Sequence, residues 1–150
     1  MSTVAVTSGL GALPSRFRRE RLLIVGYGDV GQRMARNLLT GPGAQRLRVL
    51  ALTSQAERVG SLRAQGVTPL VGNLDHAATL RRLSGLATRV VHLAPPPGEG
   101  GGGAAWWRDP RTVALARALR LRSLPVSLVY ASTSGVYGDC QGALVSETRA

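Results

Sequence analysis

The sequence contains no lysine, so all 19 of its basic residues are arginine. It has a single cysteine, Cys140, which excludes a disulfide within the chain and fits a reducing compartment. The two histidines, His76 and His92, have no cysteine or carboxylate cluster beside them at the spacing of metal ligands. We therefore expect no metal site and no disulfide framework, and we expect the protein to be cytoplasmic.

Long hydrophobic runs are also missing. No apolar stretch approaches the roughly 20 residues that span a bilayer, so we expect no membrane partner. Residues 1–20 carry their basic cluster after the apolar part, which is the reverse of a secretory signal. We expect residues 1–20 to be a flexible, arginine-containing leader, with a transit peptide as the alternative interpretation, and residues 21–150 to form one domain.

The net charge of +11 is spread along the chain. Only the stretch from Arg16 to Arg21 is dense in arginine, and most of the others fall on polar positions of candidate helices. Nucleic-acid-binding proteins usually gather basic residues on one face with aromatic residues between them. We therefore expect no specific nucleic-acid partner, although weak adhesion to polyanions remains expected.

Short apolar runs alternate with segments of helical period. This alternation predicts an α/β fold, a Rossmann-type doubly wound parallel sheet with helices on both faces and strand order 3-2-1-4-5. The expected strands lie at 21–25, 47–52, 67–72, 89–94 and 125–133, and the expected helices at 30–39, 55–64, 76–84 and 110–121.

The segment GYGDVG places Gly26, Gly28 and Gly31 between the first strand and the first helix. In this context a G-x-G-x-x-G pattern is typical of a dinucleotide cradle. Gly26 allows the sharp turn, Gly28 lets a pyrophosphate approach the main chain, and Gly31 lets the helix lie close to the strand. The amide groups that begin the helix, at Asp29 and Val30, then face the anion. The alternative is a tight turn without a ligand.

The end of the second strand bears on which dinucleotide is bound. An NAD site usually has an acidic residue there, which binds the ribose hydroxyls. This chain has Thr53 and Ser54 instead, and no carboxylate before Glu57. Since Arg58 is within reach of a 2′-phosphate, we expect NADP rather than NAD, with an exposed helix residue as the alternative role for Arg58.

Four motifs in order resemble the short-chain dehydrogenase/reductase superfamily, in its extended or atypical NAD(P)-dependent epimerase/dehydratase branch. They are the glycine turn, VGNLDH after the third strand, VVHLAPP at the fourth and YASTSGVYGD at the fifth. Asn73 stands where the family has an acid that contacts adenine. The resemblance implies a dinucleotide site made by these residues: Gly26, Gly28, Asp29, Val30, Gly31, Thr53, Ser54, Arg58, Asn73, Leu74, Leu93, Ala94 and Pro95.

The resemblance also implies catalysis by Ser/Thr, Tyr and Lys. It places Thr133 at the Ser/Thr position, with a β-branched residue ending a strand as the alternative. Tyr137 is followed four residues later by Gln141, so the Tyr-x-x-x-Lys pair is absent. We expect a truncated family member that lacks the sixth strand, the C-terminal substrate segment and the helices through which the family dimerises.

This pattern leaves it undecided whether the chain is an enzyme. We expect the NAD(P)-binding portion of an oxidoreductase or of a protein like the sugar-nucleotide epimerases and dehydratases, with little or no catalysis of its own and an unknown small-molecule substrate. The alternatives are a non-catalytic NAD(P)-sensing module and an inactive remnant.

Overall fold

The computed structural model of the protein describes residues 19–97 and 109–131. Five parallel strands form a single sheet, in the spatial order β3-β2-β1-β4-β5. This order confirms the predicted Rossmann-type α/β topology. The strands are β1 (Glu20–Val25), β2 (Leu47–Thr53), β3 (Thr68–Val71), β4 (Arg89–His92) and β5 (Ser127–Tyr130).

Three α-helices and three 3₁₀ segments connect the strands. The α-helices are α1 (Asp29–Thr40), α2 (Val59–Ala64) and α3 (Pro110–Leu119), and the 3₁₀ segments are Ala44–Arg46, Ala56–Arg58 and Ala77–Leu83.

The expected helix at 76–84 is thus a 3₁₀ segment. The backbone N–H of Asn73 donates to the Thr79 hydroxyl at 2.9 Å, and that hydroxyl donates to the His76 carbonyl at 2.7 Å. Such local bonds between side chains and backbone compete with regular α-helical bonding.

The alternation of side chains along β1 divides the interior into two cores. Leu23 and Val25 pack against α3 and the Ala77–Leu83 segment on one face of the sheet. Leu22 and Ile24 pack against α1 and α2 on the other face. Because successive strand residues point to opposite faces, the continuous apolar run of β1 is buried on both sides, as a central parallel strand requires.

Two sets of apolar side chains that were predicted to be buried are exposed. Val30 keeps 66% of its surface, because it lies in the first turn of α1, whose buried face begins at Gly31. In β5, the last strand that the structure describes, Leu128, Val129 and Tyr130 keep between 42% and 58% of their surface.

Candidate functional site

A cavity of about 580 Å³ lies where the carboxyl ends of β1 to β4 meet. In an open parallel sheet, ligands bind in the crevice where the strand order reverses, which here is between β1 and β4. Four segments line the cavity: the turn after β1, and the loops after β2, β3 and β4. The first turn of α3 completes the rim through Arg111.

The turn after β1 is held tightly against the end of β4. Gly26 has a φ of +92°, and a Cβ built on it would lie 2.4 Å from the Ala94 nitrogen. Leu93 N–H donates to the Val25 carbonyl at 2.7 Å, which fixes the two segments side by side. A side chain is excluded at Gly26 both by the backbone angle and by the lack of space.

Gly28 and Gly31 differ from Gly26 in what surrounds them. A Cβ on Gly28 would meet no atom of residues 19–97 and 109–131 within 4 Å, and Gly28 lines the cavity. A Cβ on Gly31 would lie 2.9 Å from the Gly26 carbonyl oxygen and 3.2 Å from Cγ2 of Ile24. The predicted role of Gly31, to let the helix approach the strand, agrees with these distances.

Helix α1 begins at the cavity with no side-chain cap. Its N-cap residue, Gly28, accepts only the backbone bond from Gln32 N–H at 2.9 Å. The first amide groups of a helix have no acceptor within the helix, and they carry the positive end of its dipole. Asp29 adjoins this end, where its carboxylate is paired with Arg33 at 2.9 Å.

The loop after β2 presents hydroxyls and a guanidinium. The buried Thr53 hydroxyl accepts from the Gln55 N–H at 3.2 Å, so it shapes the loop, whereas Ser54 is exposed. Arg58 donates to the Tyr27 carbonyl at 3.1 Å, which places its guanidinium over the glycine turn. Glu57 is exposed and does not line the cavity.

Tyr27 supports the turn from below. Its ring is buried, and its hydroxyl donates to Oε1 of Gln65 at 3.2 Å. Burial raises the pKa of Tyr27, and the positive charges of Arg58 and Arg36 lower it in part. The phenol therefore stays neutral at physiological pH and acts as an anchor.

The loop after β3 is closed on itself and tied to α3. The Asn73 side-chain oxygen accepts from the Asp75 N–H at 2.9 Å, and Leu74 packs against the core below. The Asp75 carboxylate receives two hydrogen bonds from Arg111, each 2.7 Å long. These bonds hold the pKa of Asp75 below its ordinary value of 3.8 and raise that of Arg111.

Arg111 also reaches the loop after β4, where it donates to the Pro95 carbonyl at 3.2 Å. One side chain therefore joins the loops after β3 and β4 to the first turn of α3. Its position in α3 follows from Asp109, whose carboxylate caps the helix by accepting from the Arg111 N–H at 2.9 Å.

Behind the cavity, β4 is linked to α3 through a buried histidine. Nε2 of His92 lies 2.9 Å from the Thr112 hydroxyl, and that hydroxyl donates to the Asp109 carboxylate. Nδ1 of His92 has no hydrogen-bond partner among the described residues. Burial lowers the pKa of His92, and the charge of Asp109 opposes this weakly. His92 is thus a buried core residue.

The structure brings all of the predicted cofactor-binding residues to the lining of one cavity. Thr133 lies outside the described residues, so its predicted catalytic role stays a prediction. Within the described residues, no group of three or more metal-ligating side chains is present. Sequence reasoning missed seven lining residues: Val25, Tyr27, Leu52, Gln55, Gly72, Asp75 and Arg111.

One of these omissions had a signal in the sequence. Asp109 and Pro110 predict the start of α3, and helices that follow parallel strands start near the carboxyl edge of the sheet. Arg111, in the first turn of α3, could therefore have been expected to lie near the crevice.

Comparison with known domains agrees with this geometry. The TrkA-N domain model matches residues 22–94, from the middle of β1 to the loop after β4. That model describes Rossmann-type NAD(P)-binding domains, in agreement with the predicted dinucleotide-binding character of the chain.

Several solved structures resemble the protein in fold. A putative epimerase from Burkholderia cenocepacia has a TM-score of 0.63 and 24% identity, covering 89% of this chain and 44% of its own. The ADP-L-glycero-D-manno-heptose-6-epimerase of Helicobacter pylori has a TM-score of 0.62 and 18% identity, covering 91% and 46%. The predicted resemblance to such proteins is confirmed at the level of the fold.

A third structure is the NADPH-dependent quinone oxidoreductase of Escherichia coli complexed with NADPH, with a TM-score of 0.52 and 20% identity. The similarity covers 73% of this chain and 35% of the oxidoreductase. The chain thus spans less than half the length of each of these three proteins. No curated protein matches it significantly. None of the described helices is long and apolar enough to cross a membrane.

Proposed function

We propose that the cavity binds NADP(H) in preference to NAD(H), and that the chain is the dinucleotide-binding part of an oxidoreductase or of an epimerase- or dehydratase-like protein. The observation that carries this proposal is the open space above Gly28 at the uncapped start of α1. A pyrophosphate in that space would meet backbone N–H groups and the positive end of the helix dipole. When bound, the nicotinamide would supply hydride transfer.

The preference for NADP rests on the loop after β2. Among the lining residues of this loop there is no carboxylate to bind a ribose 2′-hydroxyl, and such a carboxylate would repel a 2′-phosphate. Arg58 supplies a cation whose orientation is already fixed by the Tyr27 carbonyl. That bond uses one of the five N–H donors of a guanidinium, so further donors remain for a phosphate.

The remaining residues of the proposed site line the same cavity. Asp29, Val30 and Gly31 would supply the amide groups for the pyrophosphate, and Ser54 would face the adenosine ribose. Asn73 and Leu74 would form the wall beside adenine. The loop after β4, with Leu93, Ala94 and Pro95, would run beside the nicotinamide half.

Titration of the purified chain with NADPH and NADH, followed by fluorescence, tests the binding proposal. Gly28→Ala should abolish binding of both, because its methyl group would occupy the phosphate space. It should leave folding nearly unchanged, because the methyl group displaces no atom in the part of the chain that the structure describes. The matched control is Gly60→Ala in α2, which also meets no atom within 4 Å and does not line the cavity. If the native chain binds neither dinucleotide, the proposal is wrong.

The preference is tested by comparing Arg58→Met with Arg63→Met, an exposed position of α2. We expect the Arg58 variant to lose about tenfold in NADPH affinity, since bonds to charged groups contribute roughly 1.5–3 kcal/mol, and to keep its NADH affinity. The Arg63 variant should match the native chain. Equal losses for both dinucleotides would remove the argument for NADP.

A further inference from the structure

The guanidinium group of Arg111 donates hydrogen bonds to two loops through N–H groups that lie in its plane. Nε and one terminal nitrogen bond the Asp75 carboxylate, each at 2.7 Å, and the other terminal nitrogen bonds the Pro95 carbonyl at 3.2 Å. Three of its five N–H donors are therefore engaged in the plane of the group. Its side chain still keeps 26% of its surface and lines the cavity.

The bidentate pair also changes what Arg111 can offer a ligand. The Asp75 carboxylate compensates its charge, so its attraction for a phosphate is weaker than that of an unpaired arginine. Besides two N–H donors, Arg111 offers the flat, delocalised face of its guanidinium, a surface on which aromatic rings stack. A lysine at this position would keep the charge but would have no such face.

The location of Arg111 limits which part of a ligand it can meet. It joins the loop that contains Asn73 and Leu74 to the loop that contains Pro95, and all of these residues line the cavity. A base held by the loop after β3 would lie beside Arg111.

We propose that Arg111 stacks on the adenine ring of the bound dinucleotide, held in place by Asp75 and the Pro95 carbonyl. This inference rests on the proposed function, since it assigns a part of the same ligand. It makes Arg111 a specificity-determining residue for a planar base. Arg111 lies in α3, outside residues 22–94, which match the TrkA-N domain model.

The test uses two probes for the native chain and its variants: ADP, which carries the base, and inorganic pyrophosphate, which does not. Arg111→Lys and Arg111→Met should each weaken ADP binding about tenfold, the scale of one base stacked on a planar side chain, and leave pyrophosphate binding unchanged. The matched controls, Arg89→Lys and Arg89→Met, remove an exposed arginine that pairs with Glu20 at 3.2 Å and does not line the cavity. These controls should bind both probes normally.

Three results would overturn the proposal. Retained ADP affinity in Arg111→Lys but not in Arg111→Met would show that charge alone matters. An equal loss of pyrophosphate binding would make Arg111 part of the phosphate site, and no loss of ADP binding in either variant would remove Arg111 from the site. A native chain that binds none of NADPH, ADP and pyrophosphate would instead refute the proposed function itself.

A measurement on the native chain covers the case in which the Arg111 variants fail to fold. Protons above an aromatic ring shift upfield in an NMR spectrum. Addition of ADP should therefore shift one arginine Nε–H resonance upfield, and addition of pyrophosphate should not. The absence of such a shift with saturating ADP would also overturn the proposal.

Discussion

Gly26, Gly28 and Gly31 belong to one motif, but the structure places a different demand on each. At Gly26 the backbone has a positive φ, and a Cβ would collide with the backbone of Ala94. At Gly31 a Cβ would separate the helix from the strand. Gly28 has free space around it and a negative φ of −84°. Substitutions at Gly26 should therefore act on folding, and substitutions at Gly28 on ligand binding.

Gly26→Ala is expected to lower the free energy of unfolding by at least about 2–3 kcal/mol, because strained backbone and a backbone clash add together. Gly60→Ala is the matched control, and it should raise the free energy of unfolding by about 0.5–1 kcal/mol, since alanine is the better helix former. Urea denaturation followed by circular dichroism measures both. Equal stability of the two variants would contradict the tight contact between Gly26 and Ala94.

At the scale of elements, β4 and α3 are joined through the hydrogen-bonded series His92, Thr112 and Asp109. Burial keeps the pKa of His92 below its ordinary value of 6.5. As the pH falls below about 6.5, the unfolded chain binds a proton at this histidine before the folded chain does. The free energy of unfolding should therefore decrease from pH 7 downward, until the folded state is protonated as well.

Denaturation of His92→Gln at pH 8 and pH 5 tests this effect. The variant should lose less stability between these two values than the native chain does, whatever its stability at pH 8. The control is His76→Gln, at an exposed residue, which should keep the pH dependence of the native chain. A variant at His92 with the native pH dependence would show that another group is responsible.

Much of the element order could be predicted from the sequence, because each buried parallel strand reads as an apolar run and each helix has start and stop residues. The 3₁₀ form of Ala77–Leu83 could not, since it depends on how the Thr79 hydroxyl bonds to Asn73 and His76. Apolar periodicity carries no information about that choice.

Within the candidate site, the glycines and the ends of the strands were found because strand, turn and helix are adjacent in the sequence. The pair of Asp75 and Arg111 was missed because the two residues are 36 positions apart and meet only through tertiary packing. Thr53 was expected to help accommodate a 2′-phosphate, which stays a prediction. Its hydroxyl bonds its own loop at Gln55, a local bond that residue type alone does not reveal.

For the molecule as a whole, the net charge of +11 predicts attraction to polyanions of any sequence or structure. We expect the chain to be retained on heparin at low salt and to elute by about 0.2–0.3 M salt, because scattered contacts are rapidly screened. NADPH binding should weaken far less over the same range, since its phosphates would meet fixed amide groups. Retention above 0.5 M salt, or preference for one DNA sequence, would contradict this.

Gly26 lies so close to Ala94 that the turn after β1 and the end of β4 must move together. Arg111 ties the loop after β3 to the same unit, and Arg58 ties α2 to it through the Tyr27 carbonyl. The described walls of the cavity are thus preorganised, and little conformational entropy is left to lose when a ligand enters. Ligand entry should therefore require no slow rearrangement of these described walls.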